Sequence, residues 1–185
     1  MAIPSQQVEW LSLVETSGPF LTLPVLEQAF PQGLESIETP RRRLLRAAYY
    51  EWRDAVDEDD DLLFQLHDAW VNLVLTELLE FDMESATPGS AWVGDLPSVT
   101  SPDAASRFTP SWIIHSPGST QLRSFISVVR PEAPLDSAAN ADGWIANEIE
   151  RMTLLCRAHG VRVGIVTNGE SWVLVNAPGL TPFRR

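Results

Sequence analysis

The stretch that decides the fold of this chain is residues 144–176, WIANEIERMTLLCRAHGVRVGIVTNGESWVLVN. Asn147 and Glu150 are three positions apart, the spacing of a capping pair in which each side chain bonds the other residue's backbone N–H. They predict a helix that begins here and runs to about Ala158. Gly160 suits the left-handed conformation that commonly ends a helix. The residues expected on the inner face of this helix are Ile149, Met152, Leu155 and Cys156.

The second half of the stretch reads as two strands. Val161–Thr167 is apolar enough for a buried strand. Asn168 and Gly169 favour a type I′ turn, because both residue types tolerate a positive φ. The chain then returns as an antiparallel strand over Ser171–Asn176. The predicted order for this part of the chain is therefore helix, glycine stop, strand, turn, strand.

Two further strands are predicted upstream, over Ser111–His115 and Leu122–Val129. The turn-forming residues of Ser116–Ser119 lie between them and favour an antiparallel hairpin. The Pro- and Ser-rich segment before the hairpin is expected to hold loops and a short strand around Ala91–Val93. Residues 131–143 are expected to form a loop.

The N-terminal part of the chain reads as helices. Short helices are predicted over Val8–Glu15 and Leu23–Phe30, and a longer one begins at Thr39, an N-cap residue followed by Pro. The strongest helical pattern covers Asp61–Leu79. The apolar positions expected to face the core are Leu44, Leu45, Ala48, Trp52 and Ala55 in the longer helix, and Leu63, Leu66, Trp70, Leu73 and Val74 in the last one.

These elements predict an α+β (α/β) fold in which N-terminal helices precede a small mixed sheet flanked by helices. The expected division is a helical segment over residues 1–56, an α/β core over residues 57–178, and a linker or tail over residues 179–185. The Pro and Gly residues around the last boundary are typical of a linker. The sequence therefore favours a chain that continues into another domain.

Composition limits the kinds of function that the chain can have. Its 185 residues are 44% hydrophobic, which is enough for one folded domain or a compact pair. All 13 basic residues are arginines, so the chain has no lysine. With a net charge of −12, it is expected to bind duplex DNA weakly on its own. The sequence has no signal-peptide pattern and no membrane-length apolar run, so a cytoplasmic location is expected.

The amino-acid sequence of residues 144–176 resembles that of a known group of proteins. Arg157–Trp172 is similar to the region that closes the nuclease domain of type I restriction subunits, and is closer still to the N-terminal region of type IIG and DISARM-like restriction-modification methyltransferases. Gly143-Trp144, Glu150–Met152 and Gly18–Leu21 also resemble that group. The predicted order of helix, three strands, helix and two strands resembles the PD-(D/E)xK nuclease superfamily. The resemblance implies a restriction-endonuclease-like fold.

The resemblance also implies where catalytic residues would stand. Such folds place an acid at the start of one core strand, often after proline, and Glu-x-Lys on the next strand. Here Pro110 is followed by Ser111, and Ser127 and Val129 fall near the Glu and Lys positions. A shift of the alignment supplies no lysine, because the chain has none. Arginine is a poor substitute, since it stays protonated.

A divergent nuclease would need other ligands for Mg²⁺, and the sequence offers three candidate acids, Glu77, Asp95 and Asp103. Glu77 falls on the apolar stripe of its helix. It is expected either to reach water at the helix end or to point into a former active-site cleft. The histidines have no spacing suited to zinc and are His67, His115 and His159.

Basic residues give the candidate nucleic-acid contacts. Arg41, Arg42, Arg43 and Arg46 form one cluster at the start of the longer helix. It can touch phosphate, but balancing the acidic surroundings is at least as good an explanation. Arg123 and Arg130 on the hairpin complete the set.

The favoured hypothesis is a non-catalytic, nuclease-like N-terminal module of a DNA restriction-modification or phage-defence methyltransferase. Its role would be assembly or DNA positioning. It would contact DNA through the assembly, and no contact with a membrane is expected. The parent protein would be an adenine-specific methyltransferase that uses S-adenosylmethionine in a domain beyond Arg185, because the Asn-Pro-Pro-aromatic motif of such enzymes is absent here. This chain itself is expected to carry no cofactor.

Two alternatives remain open. One is a divergent Mg²⁺-dependent DNA endonuclease that uses the candidate acids. The other is a protein-interaction domain unrelated to nucleic acid, which the acidic N-terminal half permits. The first predicts cleavage of DNA in Mg²⁺ or Mn²⁺, and the second predicts no salt-dependent binding of DNA.

Overall fold

The fold is known from a computed structural model that describes residues 9–58, 61–82, 84–137 and 143–179. These residues form an α+β structure with four α-helices, a five-stranded mixed sheet and a separate two-stranded sheet. The chain divides into two compact units, residues 1–43 and residues 44–185. The predicted tail beyond Gly179 and part of the acidic run at Asp57–Asp61 lie outside the described residues.

The first unit contains two short helical segments and the start of a long helix. Glu9–Leu13 is a 3-10 helix, and α1 spans Leu23–Ala29. Trp10 meets the ring of Phe30 edge-on, with ring centroids 5.8 Å apart. The α-helix predicted over Val8–Glu15 is therefore a shorter and tighter 3-10 turn, and its first residue lies outside the described part.

Helix α2 spans Thr39–Glu58 and runs from the first unit into the second. Leu45, Trp52 and Ala55 are buried, as their shared face predicts. Ala48 is half-buried, and Leu44 departs from the prediction, because 49% of it is exposed. It lies one position from Leu45, at the margin of the apolar face.

Helix α3 spans Leu63–Leu73 and continues as a π-helical turn over Val74–Leu78. The sequence predicted one regular helix with a different inner face. The buried row is His67, Val71, Val74 and Leu75, whereas Leu63, Leu66, Trp70 and Leu73 are only half-buried. These four positions are spaced as i, i+4, i+7 and i+8, the ordinary repeat of one α-helical face, and the row continues into the first residues of the π turn.

The main sheet has the strand order β1-β4-β5-β6-β7. Its strands have these bounds: β1 is Ala86–Pro88, β4 is Trp112–His115, β5 is Leu122–Val128, β6 is Val163–Thr167 and β7 is Trp172–Asn176. All neighbours are antiparallel except β5 and β6, which pair in parallel. Helix α4, Glu148–Ala158, makes the crossover between that parallel pair. The hairpin of β4 and β5 is as predicted, with Trp112 opposite Ile126.

The structure differs from the sequence prediction at two places within residues 86–108. The short strand is Ala86–Pro88, while Gly89–Ala91 begins a 3-10 turn where a strand around Ala91–Val93 was expected. A small hairpin was also missed, in which β2, Val99–Thr100, pairs with β3, Arg107–Phe108. Strands of two or three residues are too short to show an alternating pattern, so the sequence carries little trace of them.

The sheet separates two apolar cores. On one face, α4 packs through Met152, Leu155 and Cys156, and the sheet contributes Ile113, Phe125 and Val166. On the other face, α3 and its π turn pack through Val71 and Leu75 against Ala86, Ile114 and Ile126. This two-sided burial explains why the strands read as nearly continuous apolar runs.

The start and end of α4 are as predicted. Asn147 and Glu150 form both bonds of the capping box, at 2.8 Å from Glu150 N to Asn147 Oδ1 and 3.0 Å from Asn147 N to Glu150 Oε2. Gly160 has a φ of +68°. Arg151 is buried, with its guanidinium 5.0 Å from the ring centre of Trp144 and donating to the Trp144 carbonyl at 3.1 Å. Arg151 and Trp144 thus stabilise the segment that leads into α4.

The link between β6 and β7 differs from the predicted type I′ turn. Thr167 pairs with Trp172, so the loop has four residues, and only Gly169 in it has a positive φ, at +90°. The Asn168 Oδ1 accepts hydrogen bonds from the backbone N–H groups of Glu170 and Ser171 at 3.1 and 2.8 Å. Its Nδ2 donates to the Ala133 carbonyl at 2.9 Å. These side-chain bonds replace the backbone geometry of a two-residue turn.

Gly169 is the point at which two helices meet this loop. The indole Nε1 of Trp70 on α3 donates to the Gly169 carbonyl at 2.8 Å. A Cβ at position 169 would lie 2.8 Å from Trp52 Cζ2 and 2.9 Å from His67 Cε1. The rings of Trp52 and Trp70 stack at 6.0 Å with an interplanar angle of 17°. Only glycine fits here, because both the space and the φ exclude a side chain.

We expect Gly169→Ala to lower the free energy of unfolding by about 2–4 kcal/mol, since it combines overpacking with an unfavourable φ. The matched control is Gly118→Ala. Gly118 has a φ of +69° and nothing within 4 Å of its Cβ position, so only the strain of ~1 kcal/mol remains. Urea denaturation of both variants measures the difference. Equal losses in the two variants would contradict the packing role of Gly169.

Candidate functional site

The second unit contains a cleft of about 600 Å³ between α3 and the adjoining ends of β4 and β5. Its volume is in the range of pockets that hold a molecule of nucleotide size. The polar residues that line it are His67, Asp68, Asn72, Ser111 and Arg130. Its apolar walls include Phe64, Val71, Trp112 and Val128. It is the candidate functional site because it joins a cation, an acid and exposed aromatic surface.

Ser111 stands where the sequence resemblance expects an acid, and it does reach the cleft. Its Oγ accepts a hydrogen bond from the Val128 N–H at 2.9 Å, and its own N–H donates to the Ile126 carbonyl at 2.8 Å. The hydroxyl therefore closes the ladder between β4 and β5. A serine held in this way completes the sheet and is not a metal-binding carboxylate.

The two positions expected for Glu and Lys carry no polar group into the cleft. Ser127 is buried, with 4% exposure. It lies two positions from Phe125 and so shares the face of β5 that is directed toward α4. Val129 also packs against the α4-side core, and its N–H donates to the Thr167 carbonyl at 2.8 Å. The residue after it, Arg130, lines the cleft and is exposed.

His67 forms the inner wall of the cleft, with only 3% of it exposed. Its Nε2 lies 2.9 Å from the Val129 carbonyl oxygen, which can only accept, so Nε2 carries the hydrogen. Its Nδ1 is buried without a hydrogen-bond partner in the described structure. Burial lowers the pKa of His67, and the bond to Val129 and the charge of Asp68 oppose that shift. The neutral His67 ring thus links α3 to the end of β5 through its hydrogen bond to Val129.

The outer part of the cleft is open to solvent. Phe64 is 60% exposed, and Trp112 is half-buried beside it in the lining. Arg130 is exposed at one side and Asp68 is exposed on α3. An arginine that shares a cleft with aromatic rings can contact a phosphate while the rings contact a base. The single carboxylate limits how much negative charge the cleft tolerates.

The three acids proposed as metal ligands lie apart from the cleft lining. Glu77 is half-buried in the π turn, so the expectation that it points into a former active-site cleft is not supported. Asp95 is exposed in the loop before β2. Asp103 accepts hydrogen bonds from the Ser101 hydroxyl and from the Ala105 N–H, so it stabilises the loop between β2 and β3. Within the described residues, no three His, Cys, Asp or Glu side chains are grouped to hold a metal ion.

Of the six arginines proposed as nucleic-acid contacts, Arg130 is the one that lines the cleft. Arg123 lies near the opposite end of the β4–β5 hairpin, where its Nε donates to the Ser116 hydroxyl at 2.8 Å. Arg41, Arg42 and Arg43 belong to the first unit, in the first turns of α2. Arg46 follows them on the same helix, in the second unit, and is exposed.

Sequence reasoning missed several residues of the cleft. Phe64, Asp68 and Asn72 recur every four positions on α3 and line it together. His67 was treated as one of three scattered histidines. Its spacing from Val71 and Val74, four and seven positions, is the signal that places it on the buried face.

Cys156 is a core residue, as the sequence predicted. It is fully buried on the inner face of α4, and burial raises the pKa of its thiol to about 11. A thiol with such a pKa stays protonated near neutral pH, so it is a poor nucleophile.

No protein-family model, curated protein or solved structure matches this chain. Across the described ranges, none of the helices is long and apolar enough to span a membrane.

The buried His67 gives an expected pH dependence of stability. Its pKa is lowered in the folded state, so the unfolded chain takes up the proton first as the pH falls below ~6.5. The stabilisation of the folded state by the neutral His67 ring is therefore complete above that pH and is lost below it. We expect the free energy of unfolding to fall between about pH 7.5 and 5.5, and His67→Gln, which keeps a donor for Val129, to flatten that slope. Urea titrations at several pH values measure it, and an unchanged slope in the variant would contradict the assignment.

Proposed function

We propose that this chain is a nuclease-like module without cleavage activity that helps to position DNA. It would work in an assembly with a DNA methyltransferase domain, or with other subunits of a restriction-modification or phage-defence system in the cytoplasm. Any S-adenosylmethionine would belong to the methyltransferase domain. Mg²⁺ would be required only if the chain were a divergent nuclease.

The observation that carries this proposal is the content of the cleft. The order of α3, β1, β4, β5, α4, β6 and β7 agrees with the order expected of a nuclease-like core, once the small hairpin of β2 and β3 is set aside. At the point where the catalytic residues of such a core would converge, the chain has Ser111 and Arg130. Metal-dependent cleavage of a phosphodiester needs carboxylates for the metal and a group that handles the proton of water. Ser111 and Arg130 supply neither.

The same cleft keeps features that suit contact with nucleic acid. Arg130 offers a permanent positive charge and a planar donor group. Phe64 and Trp112 offer exposed aromatic surface, which favours contact with bases or sugars. The arrangement supports binding better than it supports chemistry.

The net charge of −12 explains why the module would act within an assembly. A strongly acidic chain repels the DNA backbone, so a partner with basic surface would supply most phosphate contacts. The cleft would then orient a short stretch of DNA already held nearby. The arginine cluster on α2 is a second possible contact within such an assembly.

The decisive experiment measures binding of short single-stranded and duplex oligonucleotides to the purified chain by fluorescence anisotropy. At low salt we expect weak binding that falls as salt rises. Arg130→Gln should weaken it about 3- to 10-fold, the loss typical of one arginine contact. The matched control is Arg157→Gln, because Arg157 is exposed in the last turn of α4 on the other side of the sheet.

The outcomes separate the three candidate functions. Equal affinity of both variants would overturn the role of the cleft. Absence of salt-dependent binding would favour an interaction domain unrelated to nucleic acid. Incubation of the same oligonucleotides with Mg²⁺ or Mn²⁺ should leave them intact. Cleavage that is lost in Glu77→Ala or Asp95→Ala would favour the divergent nuclease.

A further inference from the structure

Among the described residues, strand β7 forms one edge of the main sheet and pairs with β6 alone. Two hydrogen bonds near the ends of the strand fix which backbone groups point to its free side. Ala177 N donates to the Arg162 carbonyl at 2.8 Å, and Asn168 N donates to the Ser171 carbonyl at 3.4 Å. Odd-numbered residues of β7 therefore bond to β6, because the pattern alternates along an antiparallel pair. The backbone N–H and C=O groups of Trp172, Leu174 and Asn176 point away from the sheet.

The two edges of the sheet differ in how they are protected. The other edge, β1, has three residues and ends in Pro88, with acidic residues Asp82 and Glu84 just before it. Short length, proline and charge all discourage a further strand from pairing. Strand β7 has five residues, with neither a proline nor a charged side chain, and Leu174 at its centre is 47% exposed. An open edge of this kind favours the addition of a strand.

We propose that β7 pairs antiparallel with β7 of a second copy of this chain, about a twofold axis through Leu174. Trp172 of each copy then lies opposite Asn176 of the other, and the two Leu174 residues face each other. Every outward N–H and C=O of the three residues gains a partner in this register. The two five-stranded sheets become one continuous sheet.

The ends of the strand favour a second copy over a longer foreign strand. The next outward pair in this register would be Glu170 with Pro178. The Glu170 N–H already donates to Asn168 Oδ1 at 3.1 Å, and proline has no N–H. The ladder therefore stops after the same three residues on both copies. A twofold pair uses all the free groups of both edges, and it places no like charges opposite each other.

The charge of the chain predicts how this association depends on salt. Each copy carries −12, so the two copies repel each other at long range. Salt screens that repulsion, and the dimer should strengthen as ionic strength rises. DNA binding by the cleft should weaken over the same range. The proposed dimer does not depend on the proposed function. Because dimerisation and DNA binding respond oppositely to salt, an experiment can distinguish failure of one from failure of the other.

Light scattering or sedimentation equilibrium of the full chain tests the pairing, with a monomer mass of 20.6 kDa. We expect the wild type to form a dimer of twice that mass as concentration and salt rise. Leu174→Lys and Leu174→Glu should each be monomeric, because like charges meet on the axis. An equal mixture of the two should recover the dimer, because lysine then faces glutamate. Leu154→Lys, at a site on α4 with 41% exposure, is the matched control and should dimerise as the wild type does.

A second measurement uses the unchanged protein. The outward N–H groups of Trp172, Leu174 and Asn176 should exchange with solvent quickly at low concentration and slowly at high concentration. A wild type that stays monomeric would overturn the proposal. So would a dimer in which these three N–H groups stay exposed, or a Lys–Glu mixture that remains monomeric while both variants are folded.

Discussion

The fit of three aromatic side chains around Gly169 is the contact on which the second unit depends. Trp52 from α2 and His67 from α3 fill the space that a side chain at position 169 would take, and Trp70 bonds its carbonyl at 2.8 Å. Two helices are thereby attached to the loop between the last two strands of the sheet. Asn168 keeps the loop in place, because its side chain bonds the loop backbone and the segment after β5. A tightly packed joint of this kind leaves little freedom in how α3 crosses the sheet.

The candidate site follows from that joint. With its ring between Gly169 and the cleft, His67 donates to the carbonyl of Val129, which fixes α3 over the ends of β4 and β5. The opening that remains is lined by Arg130, Trp112 and Ser111. The lining holds one carboxylate, Asp68, and the chain has no lysine to place there. That combination is what supports a positioning role.

Local signals made most of the fold predictable. The capping box of α4 and the hairpin of β4 and β5 depend on residues close in sequence, and both were predicted correctly. The features that failed depend on distant contacts. The loop at Asn168 takes its shape partly from a bond to Ala133, 35 positions away, and a turn rule that considers two residues cannot include it. The inner face of α3 is set by His67, a polar residue that a search for apolar spacing passes over. Of the residues that line the cleft, the sequence proposes Arg130 as a nucleic-acid contact, whereas Asp68 and Asn72 required the structure.

The central claim is that nucleic acid reaches the cleft, and the indole N–H signals of the seven tryptophans test it most directly. Titration of ¹⁵N-labelled protein with a short oligonucleotide at low salt should move the Trp112 signal first, assigned through Trp112→Phe. Trp144 is buried in the core under α4 and should stay in place. A spectrum in which Trp112 does not move, or moves no more than Trp144, would contradict the account.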